Sequence, residues 1–123
     1  MLGVGVDIVE IERVQSVPGR RRAAFLSRVF FEGERRYCES RRDPAGHVAA
    51  RFAAKEAVTK ALVVRRGMTT LWRDIEIRRD ERRSPAVRLT GWAQQLAAEQ
   101  GVSRFVISLS HSDTHAVALA MAA

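Results

Sequence analysis

Alanine recurs every four residues at Ala49, Ala53, Ala57 and Ala61. Over Val48 to Val64 that spacing predicts a helix with a face of small side chains, able to sit close against its neighbours. Phe52, Lys55, Glu56, Thr59 and Lys60 fall on a different face, so one stripe is expected to present two ammonium groups and a carboxylate together. The two lysines stand out because all other basic residues among the 21 are arginine. A compact ammonium suits a site that needs a point charge.

The N-terminus has the other strong pattern. Leu2, Val4, Val6 and Ile8 alternate with Gly3, Gly5 and Asp7, which predicts a strand. The bulky set is the expected core face. The glycine face is expected to be a smooth shelf, open to close approach by another backbone or subunit, with Asp7 at its end.

From Glu10 the pattern turns helical, with Ile11 and Val14 inward, until Pro18-Gly19 breaks it. A second helical stretch carries Phe25, Val29 and Phe30 on its apolar side and Arg20, Arg21, Arg22 and Arg28 outside. Residues 32–41 read as a polar helix, and Asp43-Pro44 supplies a cap and first turn for the alanine-rich one. Residues 74–77 and 86–89 alternate around a polar turn, as a hairpin does. Thr90 is expected to cap a helix with Trp92, Leu96 and Ala97 inward and Gly101 as its stop. Two strands follow, the first with Phe105, Ile107 and Leu109 on one face, joined by a polar turn at residues 111–114. The result is one α+β domain over residues 1–123, a small antiparallel sheet wrapped by helices.

A formal charge of +7 implies an anionic partner, whether nucleic acid, phosphorylated ligand, acidic protein or membrane. A single cysteine, Cys38, excludes an intramolecular disulfide, and no apolar run approaches the ~20 residues that span a bilayer. The chain reads as soluble and cytoplasmic, without a membrane role. A small RNA-binding protein would fit its size and charge, but interleaved exposed aromatics and a stacking strand are missing.

Three segments carry more than composition: Gly-Val-Asp-Ile-Val-Glu-Ile at 5–11, Arg-Phe-Ala-Ala-Lys-Glu-Ala at 51–57 and Ser-Leu-Ser-His-Ser at 108–112. With Trp-Arg-Asp-Ile-Glu-Ile at 72–77 and Val-Arg-Leu-Thr-Gly at 87–91, in this order, they resemble the holo-[acyl-carrier-protein] synthase family of 4′-phosphopantetheinyl transferases along nearly the whole chain. The resemblance implies that fold, with transfer of phosphopantetheine from coenzyme A to a serine of an apo acyl carrier protein and release of adenosine 3′,5′-bisphosphate. It implies Mg²⁺ held by Asp7 and Glu56, a pair of hard carboxylates of the kind that ion uses beside substrate phosphates. On the residues alone, Asp7 also fits a helix cap and Glu56 an i+4 partner for Lys60.

The same resemblance makes Glu56 and Lys60 catalytic, with Glu56 a candidate to activate the hydroxyl, and gives Lys55 and Lys60 to the pyrophosphate. Arg51 and His111 become coenzyme A contacts, with Ser110 nearby. Arg13, Arg21 and Arg28 become the dock for an acidic carrier protein. It further implies a homotrimer with interfacial sites, a role in fatty acid biosynthesis, and no nucleic-acid partner. His115 belongs to no motif and reads as structural. Where relatives have a glycine-rich turn, this chain runs Val63-Val64-Arg65-Arg66 before Gly67, so Arg65 or Arg66 either replaces that turn's contacts or is a solvated charge.

Overall fold

The computed structural model describes residues 2–63, 71–80 and 82–123. Arg65 and Arg66 lie outside them. The order is β1 (Gly3–Glu10), α1 (Ile11–Gln15), α2 (Gly19–Val29), α3 (Glu32–Glu39), α4 (Pro44–Ala61), a 3₁₀ turn (Trp72–Asp74), β2 (Ile75–Arg79), β3 (Pro85–Leu89), α5 (Gly91–Glu99), β4 (Phe105–His111) and β5 (His115–Ala122). The class is α+β as expected, with two antiparallel sheets: three strands in the order β1-β5-β4, and the separate β2-β3 hairpin.

Helix α4 organises the molecule. Pro44 opens it, and the Asp43 carboxylate accepts a hydrogen bond from the Gly46 amide at 3.3 Å. Its buried alanines lie on a sheet face that is itself made of small residues: Gly3 and Gly5 of β1, and Ala116, Ala118, Ala120 and Ala122 of β5. A Cβ at Gly3 or Gly5 would be driven into the carbonyl oxygen of Ala61 or Ala57. The glycines are therefore where α4 touches the sheet.

This reverses the expected orientation of β1. Leu2, Val4, Val6 and Ile8 point away from α4, and Ile8 is 65% exposed. Val4, Val6 and Ile8 pair with Met121, Leu119 and Val117, and Val106 pairs with Met121 from the other edge. The outward face of β1 and β5 is thus a continuous apolar surface on a single chain. Hydrophobicity alone assigned the bulky side to the core; steric fit to α4 put the small side there.

The hairpin is fastened by Ile75 and Ile77, both essentially buried against the α4 core. Burial of that kind contributes about 1.5–3 kcal/mol for each side chain. Helix α5 departs from expectation at its start. Thr90 makes no side-chain cap; the Asp74 carboxylate accepts from the amides of Trp92 and Ala93 at 2.9 and 3.3 Å. Trp92 points outward, 62% exposed, while Leu96 and Ala97 are buried. Gly101 ends the helix with φ +73°, a backbone conformation that suits glycine.

Candidate active site

Because β1 lies directly against α4, Asp7 near the end of the strand comes beside the last turns of the helix. The Lys60 ammonium donates to Asp7 Oδ1 and to the Val6 carbonyl, each at 3.0 Å. Asp7 and Glu56 line one cleft of about 480 Å³, together with Glu10, Arg13, Phe25 and Phe52. Glu56 Oε1 accepts a hydrogen bond from the Trp72 indole at 2.6 Å. Neither simple alternative for the carboxylates is realised: α1 starts without a side-chain cap, and Lys60 bonds to Asp7 rather than to Glu56.

Lys55 must be reassigned. Its side chain is 0% exposed and its ammonium donates to Glu34 Oε1, Val29 O and Trp72 O at 2.7, 2.6 and 3.0 Å. An ammonium has three donors, so none is left for a phosphate. Burial pulls its pKa below the ordinary lysine value, against the opposing pull of Glu34. The expected stripe of two ammoniums and a carboxylate is therefore split: Lys60 and Glu56 turn toward β1 and the cleft, and Lys55 turns toward α3.

Arg51 and His111 belong to a second cluster near the start of α4. The Arg51 guanidinium stacks on the Tyr37 ring at 4.0 Å, Tyr37 meets His47 edge-on, and His47 meets His111 at 5.1 Å between ring centroids. Arg41 and Arg79 lie over the same Tyr37 ring at 5.4 and 5.0 Å. Arg51 is nearly buried, and its Nε has no hydrogen-bond partner among the described residues. Burial, then the neighbouring His111, Arg51 and Arg41, keeps the His47 pKa below its ordinary value. The cluster is cationic and suits an anion. Ser110 does not join it within the chain: strand alternation puts Ser110, which pairs with Val117, on the outward face, opposite His111.

Arg13 is exposed at the cleft, and Arg21 and Arg28 are exposed on α2. Seven residues apart, those two share a helical face. Phe25 of α2 also lines the cleft, so the basic helix forms one of its walls. His115 lines it too, exposed rather than structural, with Nδ1 2.9 Å from Thr114 Oγ1. Sequence reasoning also missed Glu34, Trp72, Tyr37 and His47. Glu34 was legible only as a polar helix residue, yet it is 3% exposed and accepts from Lys55 and from the Phe31 and Ile77 amides. Cys38 beside it is buried, and burial raises its thiol pKa to about 11, which makes it inert.

Among the described residues no three His, Cys, Asp or Glu side chains form a metal cage. Asp7 and Glu56 still fit a hard cation that keeps water and substrate oxygens: each carboxylate has one oxygen outside the bonds above, on the wall of a shared cleft.

Residues 3–120 match the family model of the 4′-phosphopantetheinyl transferase superfamily. The holo-[acyl-carrier-protein] synthase of Chlamydia trachomatis serovar L2 is 44% identical over 122 residues, covering 99% of each chain. The crystal structure of holo-[acyl-carrier-protein] synthase from Neisseria meningitidis superposes with a TM-score of 0.86 at 30% identity, covering 100% of this chain and 98% of that one. The Helicobacter pylori synthase, solved in complex with coenzyme A, gives 0.81 at 27% identity over 98% and 99% of the two chains.

Proposed function

Since the chain belongs to the 4′-phosphopantetheinyl transferase superfamily, we propose that the cleft between β1 and α4 is where it transfers phosphopantetheine from coenzyme A to a serine of apo acyl carrier protein. The chain is a holo-[acyl-carrier-protein] synthase in kind, similar to such enzymes from end to end. The observation that carries the siting is that Asp7 and Glu56, from two elements, line one cleft, with the Lys60 ammonium bonded to Asp7.

In the reaction the serine oxygen bonds to the β-phosphorus, and the bond from that phosphorus to the oxygen of the leaving nucleotide breaks. The serine proton passes to a base, and adenosine 3′,5′-bisphosphate leaves. Asp7 and Glu56 would hold Mg²⁺, which would supply positive charge against the pyrophosphate and polarise its phosphoryl oxygens. Lys60, half-exposed beside Asp7, places an ammonium where charge develops on those oxygens. Glu56, a residue of the same wall, is our candidate to accept the serine proton. Arg51 and His111 take the nucleotide's phosphate. Arg13, Arg21 and Arg28 dock the acidic carrier protein beside the cleft.

The outward sheet face supports assembly. Leu2, Val4, Val6, Ile8, Val106, Val117 and Leu119 form an apolar surface of the kind monomers seldom leave open. We assign it to a homotrimer in which a neighbour completes the coenzyme A site. That replaces the glycine shelf, which α4 covers. In such an assembly Ser110, on the outward face, belongs to the neighbour's pocket. No helix of the described residues is long and apolar enough to cross a membrane. We place the enzyme in the cytoplasm, supplying holo carrier protein for fatty acid synthesis.

Mass spectrometry of an apo carrier protein incubated with this protein, coenzyme A and Mg²⁺ tests the proposal. The wild type should add one phosphopantetheine. Glu56→Gln and Asp7→Asn, folded by circular dichroism, should add essentially none. Near-wild-type transfer by either folded variant would remove that residue from the site.

A further inference from the structure

Trp72 lies outside the cleft-lining residues, yet three contacts fix it. Its carbonyl accepts from Lys55 Nζ at 3.0 Å, its ring packs against Phe52 at 5.7 Å between centroids, and its indole N–H reaches Glu56 at 2.6 Å. Lys55 is itself held by Glu34, whose other oxygen accepts from the Ile77 amide at 2.9 Å. A chain of polar bonds, buried at Glu34 and Lys55 and part-buried at Trp72, thus runs from α3 and β2 through the 3₁₀ turn to one carboxylate in the cleft. Glutamate has three side-chain torsions and would otherwise sample several positions. The indole bond selects one of them, engaging Oε1 and leaving Oε2 to act.

We propose that Trp72 is a positioning residue: its indole N–H holds Glu56 in the orientation that ligates the divalent cation. This rests on the reading of Glu56 as a cation ligand. Hydrogen bonds to ligating carboxylates are worth about 10- to 100-fold in metal affinity, and an effect of that size is expected here.

The test uses Mn²⁺ as the probe, with its binding to the 123-residue chain followed by electron paramagnetic resonance in the absence of coenzyme A. Trp72→Phe keeps an aromatic ring and removes the donor. In a Trp92→Phe background, replacement of Trp72 by benzothienylalanine removes only the N–H from an otherwise isosteric ring, so packing is preserved if Trp72→Phe folds poorly. Both should weaken Mn²⁺ binding by about tenfold or more. Unfolding of the benzothienyl protein should stay close to its Trp92→Phe parent. Added to Glu56→Gln, neither change should weaken Mn²⁺ binding further, because the ligating carboxylate whose orientation Trp72 sets is gone.

If Glu56→Gln loses Mn²⁺ affinity but the benzothienyl protein keeps it, the positioning role is overturned and the ligand reading stands. An equal further loss in the Glu56→Gln background also overturns it, since Trp72 would then act by a general structural route. If Glu56→Gln itself binds Mn²⁺ like the wild type, the ligand reading fails and the proposal fails with it.

Discussion

The reassignment of Lys55 makes the sharpest prediction. Lys55→Met keeps the length and most of the volume of the stem but removes the ammonium from between Glu34, Val29 O and Trp72 O, where the lysine side chain is 0% and the glutamate side chain 1% exposed. Glu34 would keep its two backbone donors, but its charge would have no counter-ion. Breaking one side of a buried pair costs about 3–5 kcal/mol. For a chain of 123 residues, 1 kcal/mol moves the melting temperature by about 4 °C, so the midpoint should fall by about 12–20 °C. The assay is thermal unfolding by circular dichroism at fixed protein concentration, because assembly also shifts the midpoint. Glu34→Leu combined with Lys55→Met should recover much of the loss, since an apolar pair needs no counter-charge. A Lys55→Met protein that melts like the wild type, while its KM for coenzyme A rises tenfold, would refute the argument and restore Lys55 as a phosphate contact.

Gly5→Ala should cost about 1–3 kcal/mol in urea unfolding, because its Cβ meets the Ala57 carbonyl and lies 2.9 Å from the Lys60 Cβ. Transfer should slow as well, with Asp7 two residues on; Gly33→Ala, which meets nothing within 4 Å, is the control, and equal stability of the two variants would contradict the packing account. Arg21→Glu and Arg28→Glu should raise KM for the carrier protein and leave KM for coenzyme A unchanged, and added salt should act likewise because the pairing is screened over ~8 Å at physiological ionic strength. Unchanged carrier kinetics in both would move the dock elsewhere. Val6→Glu puts a charge on the outward sheet face, where Val6 is 55% exposed, so sedimentation should show the assembly dissociating with activity lost in step. A fully active Val6→Glu monomer would sink the shared-site reading.

Most elements were legible because each rests on a local rule: Asp43-Pro44 opens α4, Gly101 stops α5, and the alternation from Phe105 to Leu109 marks β4. The candidate site was legible only through the family resemblance carried by the Asp7 and Lys-Glu segments, since on the residues alone each carboxylate also fitted a simple structural role. What failed were decisions between two faces of a correctly recognised element. Helical spacing put Lys55 with Lys60, but the two lie five positions apart, about 140° around the axis, enough to serve different neighbours. Only the buried Glu34, one carboxylate within a strongly polar helix, decides which way Lys55 turns, and nothing local distinguishes it from Glu32 or Glu39. Trp92 was turned inward for its size, and Asp74, which caps α5, is distant in sequence.

The same difficulty inverted β1, and there the inversion bears on function. Bulky apolar residues go to the face with room for them, and a helix lined with alanine leaves none on its side of the sheet. Small residues on α4 therefore require small residues at Gly3, Gly5 and the alanines of β5, and send the bulky ones outward. Close approach of β1 to α4 is also what brings Asp7 within 3.0 Å of Lys60 and onto the wall it shares with Glu56. A strand with larger inward residues would stand farther from α4 and separate the carboxylates. The apolar outer face is thus the steric counterpart of the compact site, and the proposed assembly would cover the surface that this packing sends outward.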